Sequence, residues 1–199
     1  MASSYTTVFG IEEMASGDQS GAWGTTTNYN FDIVDRIGSF KEVTISGTSH
    51  TLTVREASPG SGTSNVQDGM YRALRFVDGG DIGGNCTMTV EPNTAATYFL
   101  MENALSASRE IIVTQGSGAN VTIQNGKNVA IFCNGAGSGA IVYNALEDLQ
   151  VTTLEVTGAS ALDGNTQVGG TLGVTGATTL SSTLGVTAAT TLSSTAAVT

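Results

Sequence analysis

Residues 151–199 follow a six-residue pattern, and no other feature of the sequence limits the possible folds as strongly. The clearest copies are TLGVTGATTLSS at 171–182 and TLGVTAATTLSS at 183–194, which differ only at Gly176 and Ala188. A spacing of six fits the two-residue period of an extended chain but keeps no single stripe on a helix. We therefore predict β-structure here. The fourth place of each six is aliphatic, at Val156, Leu162, Val168, Val174, Leu180, Val186, Leu192 and Val198.

One aliphatic residue in six cannot build a core within a single extended chain, so such a segment must coil or associate with copies of itself. Three chains wound about a common axis would place these aliphatic residues on the axis, with Thr and Ser in water. Gly and Ala would then lie where the chains crowd together. We favour this intertwined trimeric β-repeat shaft over a single-chain β-helix, for which the segment is short and shows no cap. The third reading is a Thr/Ser linker without fixed structure. Because the repeat stops inside a unit, at TAAVT, we also expect the chain to be the N-terminal part of a longer protein.

Composition changes sharply near residue 150. Every aromatic residue lies at or before Tyr143, and the last basic residue is Lys127. After Gln150 the chain is built mainly from Thr, Gly, Ala, Ser, Leu and Val. We therefore predict three parts, an N-terminal segment at 1–40, a β-domain at 41–150 and the repeat at 151–199.

Short alternating runs dominate residues 41–150 and predict many short strands separated by Gly, Asn and Asp. The pair Asn125-Gly126 between two such runs predicts a type I′ hairpin, in which both turn residues have positive φ. The segment GMYRALRFVDG fits a helix face or a strand, and its neighbours favour the strand. Many strands with few helices indicate an all-β class with a β-sandwich-like domain. The runs are KEVTI, HTLTVR, NCTMTVEP, ATYFLME, REIIVTQ, NVTIQ and NVAIFC.

Residues 1–40 are polar and rich in glycine, which indicates a loosely structured segment. Asn28 or Asn30 is suited to cap a short helix that runs through Ile37. Trp23 is the only tryptophan and lies next to a glycine. It either forms the core of this small segment or anchors a partner, since tryptophan buries a large area at interfaces.

The charge balance excludes several classes of partner. Seventeen acidic and seven basic residues give a formal charge of −10, and the basic residues do not cluster. Binding to nucleic acid requires clustered Lys and Arg, so we expect no nucleic-acid partner. No stretch has the length of a membrane span, so we expect no membrane insertion. The N-terminus lacks the pattern of a secretory signal. Cys86 and Cys133 show neither metal nor redox spacing, and we expect two buried thiols.

Motifs that carry chemistry are weak in this chain. GAGSGA at 135–140 matches a dinucleotide-binding fingerprint, but no helix is predicted after it, so we interpret it as a loop. DGGDIGGN at 78–85 lacks the final glutamate of a calcium loop and is interpreted as an acidic turn. His50 is the only histidine, which leaves most base-assisted triads without a base. We therefore predict no catalytic, cofactor-binding or metal-binding residue and no enzyme activity.

Three segments resemble the N-terminal part of tail fibres and related virion appendages of tailed bacteriophages. GAWGTTTNYNFDIVD at 21–35 looks like the segment that opens many such proteins, and residues 109–142 look like the β-rich domain that often follows. TLGVTGATTLSS is similar to fibre-shaft repeats. The resemblance implies a homotrimer with its N-terminal end docked to the virion, through a tail or portal-proximal adaptor protein. The residues that it implies for docking are Trp23, Thr25, Thr26, Thr27, Asn28 and Asn30.

These expectations make the chain a structural protein of the phage tail that anchors and projects a fibre for host attachment. An alternative is a monomeric carbohydrate- or surface-binding β-module with a flexible Thr/Ser-rich tail, sensitive to proteases beyond residue 150. A bacterial trimeric adhesin is a third possibility, and the missing export signal argues against it.

Overall fold

The computed structural model describes residues 4–6, 10–18, 20–54, 67–191 and 193, and the chain divides into two compact units, 1–151 and 152–199. The predicted segments 1–40 and 41–150 both lie in the first unit. All helices and strands of the described residues lie there as well. No helix in the described part of the chain has the length and apolar character that a membrane span requires.

The first unit contains one α-helix, so the predicted all-β class is correct only as a β-rich class. Helix α1 spans Trp23–Ile37, with Ala22 at its N-cap and Gly38 at its C-cap. The predicted end at Ile37 is confirmed, but the predicted caps are wrong, because Asn28 and Asn30 lie inside the helix. Asn30 instead makes tertiary contacts that sequence periodicity does not reveal.

Those contacts join α1 to a small N-terminal sheet. Strands β1 (Ser4–Tyr5) and β2 (Glu12–Glu13) pair antiparallel. The Asn30 side-chain amide donates a hydrogen bond to the Glu12 carbonyl oxygen, and the Glu12 amide donates to Asn30 Oδ1, both at 2.9 Å. Both polar ends of the side chain are therefore satisfied inside the molecule. The prediction that this segment is loosely structured is therefore wrong, because it contains a helix and a two-stranded sheet joined by hydrogen bonds.

Nine further strands form two sheets, one of five strands and one of four. In order across each sheet, they are β11-β10-β7-β5-β3 and β4-β6-β8-β9. The strands are β3 (Phe40–Ile45), β4 (Ser49–Thr53), β5 (Ala73–Asp78), β6 (Cys86–Glu91), β7 (Thr97–Asn103), β8 (Ile111–Thr114), β9 (Val121–Ile123), β10 (Asn128–Cys133) and β11 (Val142–Asn144).

From β3 to β8, consecutive strands alternate between the two sheets. Strands β3, β5 and β7 therefore pair in parallel in one sheet, and β4, β6 and β8 pair in parallel in the other. The remaining pairs, which are β7 with β10, β10 with β11, and β8 with β9, are antiparallel. Neither a closed barrel nor a solenoid is found among the described residues.

The predicted Asn125-Gly126 hairpin is wrong, because β9 and β10 lie in different sheets. Gly126 has φ of +70°, whereas Asn125 lies outside the positive-φ region, which excludes a type I′ turn. The Lys127 amide donates to the Gln124 carbonyl oxygen at 3.1 Å and closes the turn. The Asn125 side-chain amide donates to the Leu105 carbonyl oxygen. This bond fixes the turn through which the chain passes from β9 in one sheet to β10 in the other.

The inward faces of both sheets form one hydrophobic core. Buried and exposed positions alternate along the strands, as in β6 and β9. The segment at 70–78 was predicted as strand, and β5 confirms this for its later part, where Leu74 and Phe76 are buried. Cys86 and Cys133 belong to this core as free buried thiols, as predicted. Burial raises the pKa of both, that of Cys133 to about 12.

The β-structure predicted for the repeat is not found in the described part of the second unit, because residues 152–191 and 193 contain neither helix nor strand. The backbone of this unit instead bends at the end of every six residues, and all its described side chains are exposed. A bend recurs on the last residue of each six, which is small from 158 onward. These recurring bends lie at Thr152, Gly158, Gly164, Gly170, Gly176, Ser182 and Ala188, and further bends lie at Thr157, Gly169, Ser181 and Ser193.

Candidate interaction surfaces

One group of titratable side chains in the first unit surrounds Asp68. Lys41 Nζ donates to Asp68 Oδ1 at 2.6 Å, and His50 Nε2 lies 3.6 Å from Asp68 Oδ2. The neighbouring imidazole and the ammonium group lower the pKa of Asp68 to about 2, against the opposing effect of burial. Lys41 and His50 thus both lie against the Asp68 carboxylate, which is the arrangement of a structural polar cluster.

A buried arginine stands next to this cluster in sequence. Arg72 donates from Nη1 to Thr97 Oγ1 at 2.8 Å and to the Tyr98 carbonyl oxygen at 3.0 Å. Its Nη2 donates to the Gly69 carbonyl oxygen at 3.1 Å, and its guanidinium lies 4.8 Å from the centre of the Phe99 ring. Burial lowers its pKa to about 10. Through these hydrogen bonds, Arg72 links the 68–70 turn to strand β7.

The acidic segment 78–85 leads from β5 to β6, and hydrogen bonds within the chain hold its carboxylates. Asp81 accepts hydrogen bonds from Arg109 at 2.7 and 2.8 Å and from the Gly83 amide at 2.9 Å. Asp78 accepts from the amide and the hydroxyl of Ser106. Within the described residues, no group of three His, Cys, Asp or Glu side chains is placed to hold a metal ion.

GAGSGA forms a loop between β10 and β11, as predicted. Gly135 has φ of +65°, and a Cβ placed there would lie 2.6 Å from the Ala96 backbone nitrogen. Residues Gly137–Gly139 form a single 3₁₀ turn that leads directly into β11. The first glycine therefore serves a close backbone approach, and no helix follows that could hold a pyrophosphate.

The residues implied for docking divide into two groups on α1. Trp23 is 62% exposed, and Thr25 and Asn28 are exposed with it. Thr26 is buried, Thr27 is partly buried, and Asn30 is held by Glu12. The structure therefore leaves Trp23, Thr25 and Asn28 available to a partner.

Helix α1 also exposes two large apolar residues that sequence reasoning missed. Phe31 is 65% exposed and Val34 is 52% exposed. With Trp23 they recur at i, i+8 and i+11, which places them along one side of a helix. We call Trp23, Phe31 and Val34 the α1 stripe. This spacing is the sequence signal for the exposed side of α1. It was missed because the helix was expected to start after Trp23, which left Trp23 outside it.

The six-residue row of aliphatic side chains remains unburied in the second unit. Its members from Val156 to Val186 are between 48% and 70% exposed, and each lies two residues before a bend. We call these six residues the repeat aliphatics. Leu192 and Val198, predicted to continue the row, lie outside the described residues.

The five-stranded sheet presents a largely apolar surface on the side away from the core, which we call the outer face. Its register aligns side chains from neighbouring strands in three rows. Arg75 links the two glutamates of the charged row, since its Nη1 lies 2.9 Å from Glu42 Oε2 and its Nε lies 3.3 Å from Glu102 Oε1. The rows are the aromatic row (Tyr143, Phe132, Tyr98), the Leu100 row (Ala130, Leu100, Ala73, Phe40) and the charged row (Asn128, Glu102, Arg75, Glu42).

A cleft of about 370 Å³ crosses the Leu100 row. Phe40, Leu100 and Leu146 line it, together with the small Ala73 and Ala130. Beside it, the rings of Phe132 and Tyr143 stack with their centroids 4.6 Å apart. The sequence signal for this face was the apolar run YFLM in β7, because a strand that is apolar at consecutive positions presents apolar side chains on both of its sides.

The chain matches no protein-family model, no curated protein and no solved structure. The α1 stripe, the repeat aliphatics and the outer face are therefore interpreted from their geometry.

Proposed function

We propose that this chain is a structural protein of a tailed-bacteriophage virion, the virion-proximal part of a homotrimeric tail fibre. It anchors the fibre to the particle and projects it for host attachment, with no catalytic step and no cofactor. The first unit serves as the anchoring segment and β-sandwich-like domain, and the second unit serves as the start of the intertwined shaft.

The repeat aliphatics carry this proposal. A single chain leaves all of them about half exposed or more, although burying one Val or Leu side chain stabilises a protein by about 1.5–3 kcal/mol. Each of them lies two residues before one of the recurring bends, so the aliphatic side chains and the bends share the same six-residue period. Three parallel copies in register would bring equivalent side chains together at each level of the axis and bury them.

The glycines of the repeat support the same arrangement. At Gly158, Gly164, Gly170 and Gly176 a Cβ would meet nothing within 4 Å, and φ lies outside the positive region. Neither crowding nor backbone strain within one chain therefore requires glycine there. Close approach by another chain would require small residues at these bends, as it does wherever backbones pack together.

The α1 stripe is our proposed docking surface for the virion, with the exposed Thr25 and Asn28 beside it. Large apolar side chains on one side of a helix are the usual anchors of a helix that lies in a groove of another protein. Thr26 and Asn30 would not contact the partner. They would support docking by fixing the position of α1 in the first unit. The proposed partner is a tail or portal-proximal adaptor protein.

Light scattering and electron microscopy test this function. We expect the purified chain to have three times the 20.2 kDa chain mass. We also expect an antibody against it to label a fibre at the tail of the particle. A 20.2 kDa monomer in solution would contradict the homotrimer, and labelling of the capsid surface alone would contradict the tail position.

One observation favours the alternative of a carbohydrate- or surface-binding module. The aromatic row offers three exposed rings, two of them stacked, and flat aromatic surfaces are suited to stacking ligands. That function requires the outer face to stay open to solvent. It also predicts a monomer whose tail is rapidly cleaved beyond residue 150.

A further inference from the structure

We infer that the outer face is covered by a second copy of this chain and forms a subunit contact of the first unit. This inference rests on the proposed homotrimer and extends its contacts beyond the repeat. In a ring of three copies each patch meets a different patch of the next copy. The β11 end of one outer face, with Tyr143 and Phe132, therefore meets the β3 end of the next, with Phe40.

The aromatic residues of the outer face supply part of the area that a contact between proteins needs. Its four aromatic side chains are between 38% and 60% exposed and together present about 400 Å² to solvent, taking about 200 Å² for a whole aromatic side chain. A standard interface buries about 800 Å² on each partner. Because a ring shares the outer face of each copy between two contacts, the aromatic residues supply about a quarter of that area at each contact, and Leu100 and Leu146 add to it. The four are Phe40, Tyr98, Phe132 and Tyr143.

The shape of the face favours a protein side chain as the occupant of its cleft. The small Ala73 and Ala130 alternate with larger residues along the Leu100 row, which produces a recess between ridges. Large apolar residues such as Phe40, at the far end of the same row, are available on the next copy to enter that recess. The row therefore carries both the recess and a side chain suited to fill it.

Charge favours another copy of this acidic chain at this surface. Two copies with a formal charge of −10 repel each other, and the repulsion is weakest where their surfaces are uncharged. The aromatic row and the Leu100 row contain no charged residue. In the charged row, Arg75 lies between Glu42 and Glu102 and offsets one of their two negative charges. The outer face is thus suited to contact with an equally acidic partner.

Exposed apolar residues continue along the chain from this face into the repeat. Strand β11 is an edge strand, and Leu146, Leu149 and Val151 follow it with about half of their surface exposed. Leu154 and Val156 come next and open the six-residue pattern. Exposed apolar residues thus recur along the sequence from the end of β11 into the repeat, between polar and acidic residues.

Thiol labelling of two full-length variants tests the contact. Leu100→Cys places a thiol at the centre of the outer face, and Thr122→Cys places one on an exposed position of β9 in the other sheet. Both native cysteines are buried, so a maleimide reports the introduced thiol. We expect Leu100→Cys to react at least tenfold more slowly than Thr122→Cys while the sample has the trimer mass. Tyr98→Cys, read in the same way, serves if Leu100→Cys fails to fold.

The outcomes separate this inference from the proposed function. Equal labelling rates in a trimer would overturn the inference and leave the homotrimer standing, with the outer face open as the binding-module alternative requires. A protected Leu100→Cys in a dimer would support the contact and contradict the fibre. A monomer would contradict both. Loss of trimer mass in folded Leu100→Cys, but not in Thr122→Cys, would also support the contact.

Discussion

The side-chain amide of Asn103, at the end of β7, donates a hydrogen bond to the carbonyl oxygen of Ile123, at the end of β9, at 2.9 Å. The two strands belong to different sheets, so this bond joins the sheets at one end of the core. The same amide donates to the Arg109 carbonyl oxygen, and Asn103 Oδ1 accepts from the Leu105 amide. One fully buried side chain thus satisfies three backbone groups.

Asn103→Leu should therefore destabilise the first unit strongly. The substitution leaves three backbone groups without their partner, and each buried unsatisfied group costs about 1–3 kcal/mol. We expect the free energy of unfolding to fall by at least about 3 kcal/mol in urea titration. Gln124→Leu, at an exposed neighbouring position, is the control and should change it little. A similar small effect at both positions would show that the bonds between the sheets do not limit stability.

Gly135→Ala should be costly, whereas Gly139→Ala in the same loop should be tolerated. At Gly135 the left-handed backbone costs a non-glycine residue about 1–2 kcal/mol, and a Cβ 2.6 Å from Ala96 N adds a backbone clash. At Gly139 a Cβ would meet nothing within 4 Å, and φ is ordinary. Thermal unfolding followed by circular dichroism should show a lower Tm for Gly135→Ala alone. Equal melting temperatures would refute the close approach.

Asp68→Asn should lower stability at neutral pH and matter little in acid. Because the folded-state pKa of Asp68 is depressed to about 2, its carboxylate stabilises the fold above its unfolded pKa, near 4. That contribution is lost as pH falls from about 4 to about 2. We expect the variant to be less stable by about 1–2 kcal/mol at pH 6. The difference from the wild type should close below pH 3.

The control for this pH profile is Asp148→Asn, at an exposed position after β11. It should follow the wild-type profile over the whole range. Unfolding curves at each pH provide the comparison, since Asp81 is present in all three proteins and its own loss in acid cancels. A gap between Asp68→Asn and the wild type that persists at pH 2 would mean that the substitution acts through packing.

The double variant Val174→Asp/Val186→Asp should dissociate the repeat. Two charges per chain would lie on the proposed axis, where burial of an unpaired carboxylate is strongly unfavourable. We expect loss of the trimer mass, or rapid proteolysis beyond residue 150 if the first unit stays associated. Thr175→Asp/Thr187→Asp moves the same charges to the neighbouring residues, which would face water in the proposed trimer. It should keep the wild-type mass and resistance.

Alternation in the sequence located the strands of the first unit but not their partners. The patterns around Val43 and Leu52 identify which side chains face the core, and both are buried. They carry no information about sheet membership, because an inward-facing residue looks the same in either sheet. Short connections suggested hairpins, whereas the chain crosses between sheets at Gly126. The length and order of helix α1 were underestimated for a related reason. The contacts that stabilise it, such as Asn30 with Glu12, are tertiary and leave no periodic pattern in the sequence.

Some of the candidate surfaces could be predicted from the sequence, and others could not. The repeat aliphatics follow directly from the six-residue spacing. The exposed position of Trp23 was one of two open alternatives. Phe31 and the outer face were not predicted, because an apolar residue in a helix or strand is expected to be buried. Only the observed register shows that Leu100 and Phe40 lie in one row on the solvent side.

The alternation of β3 to β8 between the sheets has a consequence for synthesis on the ribosome. Phe40 pairs with Ala73, and Ser49 pairs with Thr87, so neither strand finds its partner until the chain has grown by more than one strand. Both sheets must then lengthen together, one strand at a time in turn. Non-local pairing of this kind slows folding and prolongs the exposure of unpaired edges. The nascent first unit is thus most prone to aggregation before β5 and β6 have emerged, while β3 and β4 still lack partners.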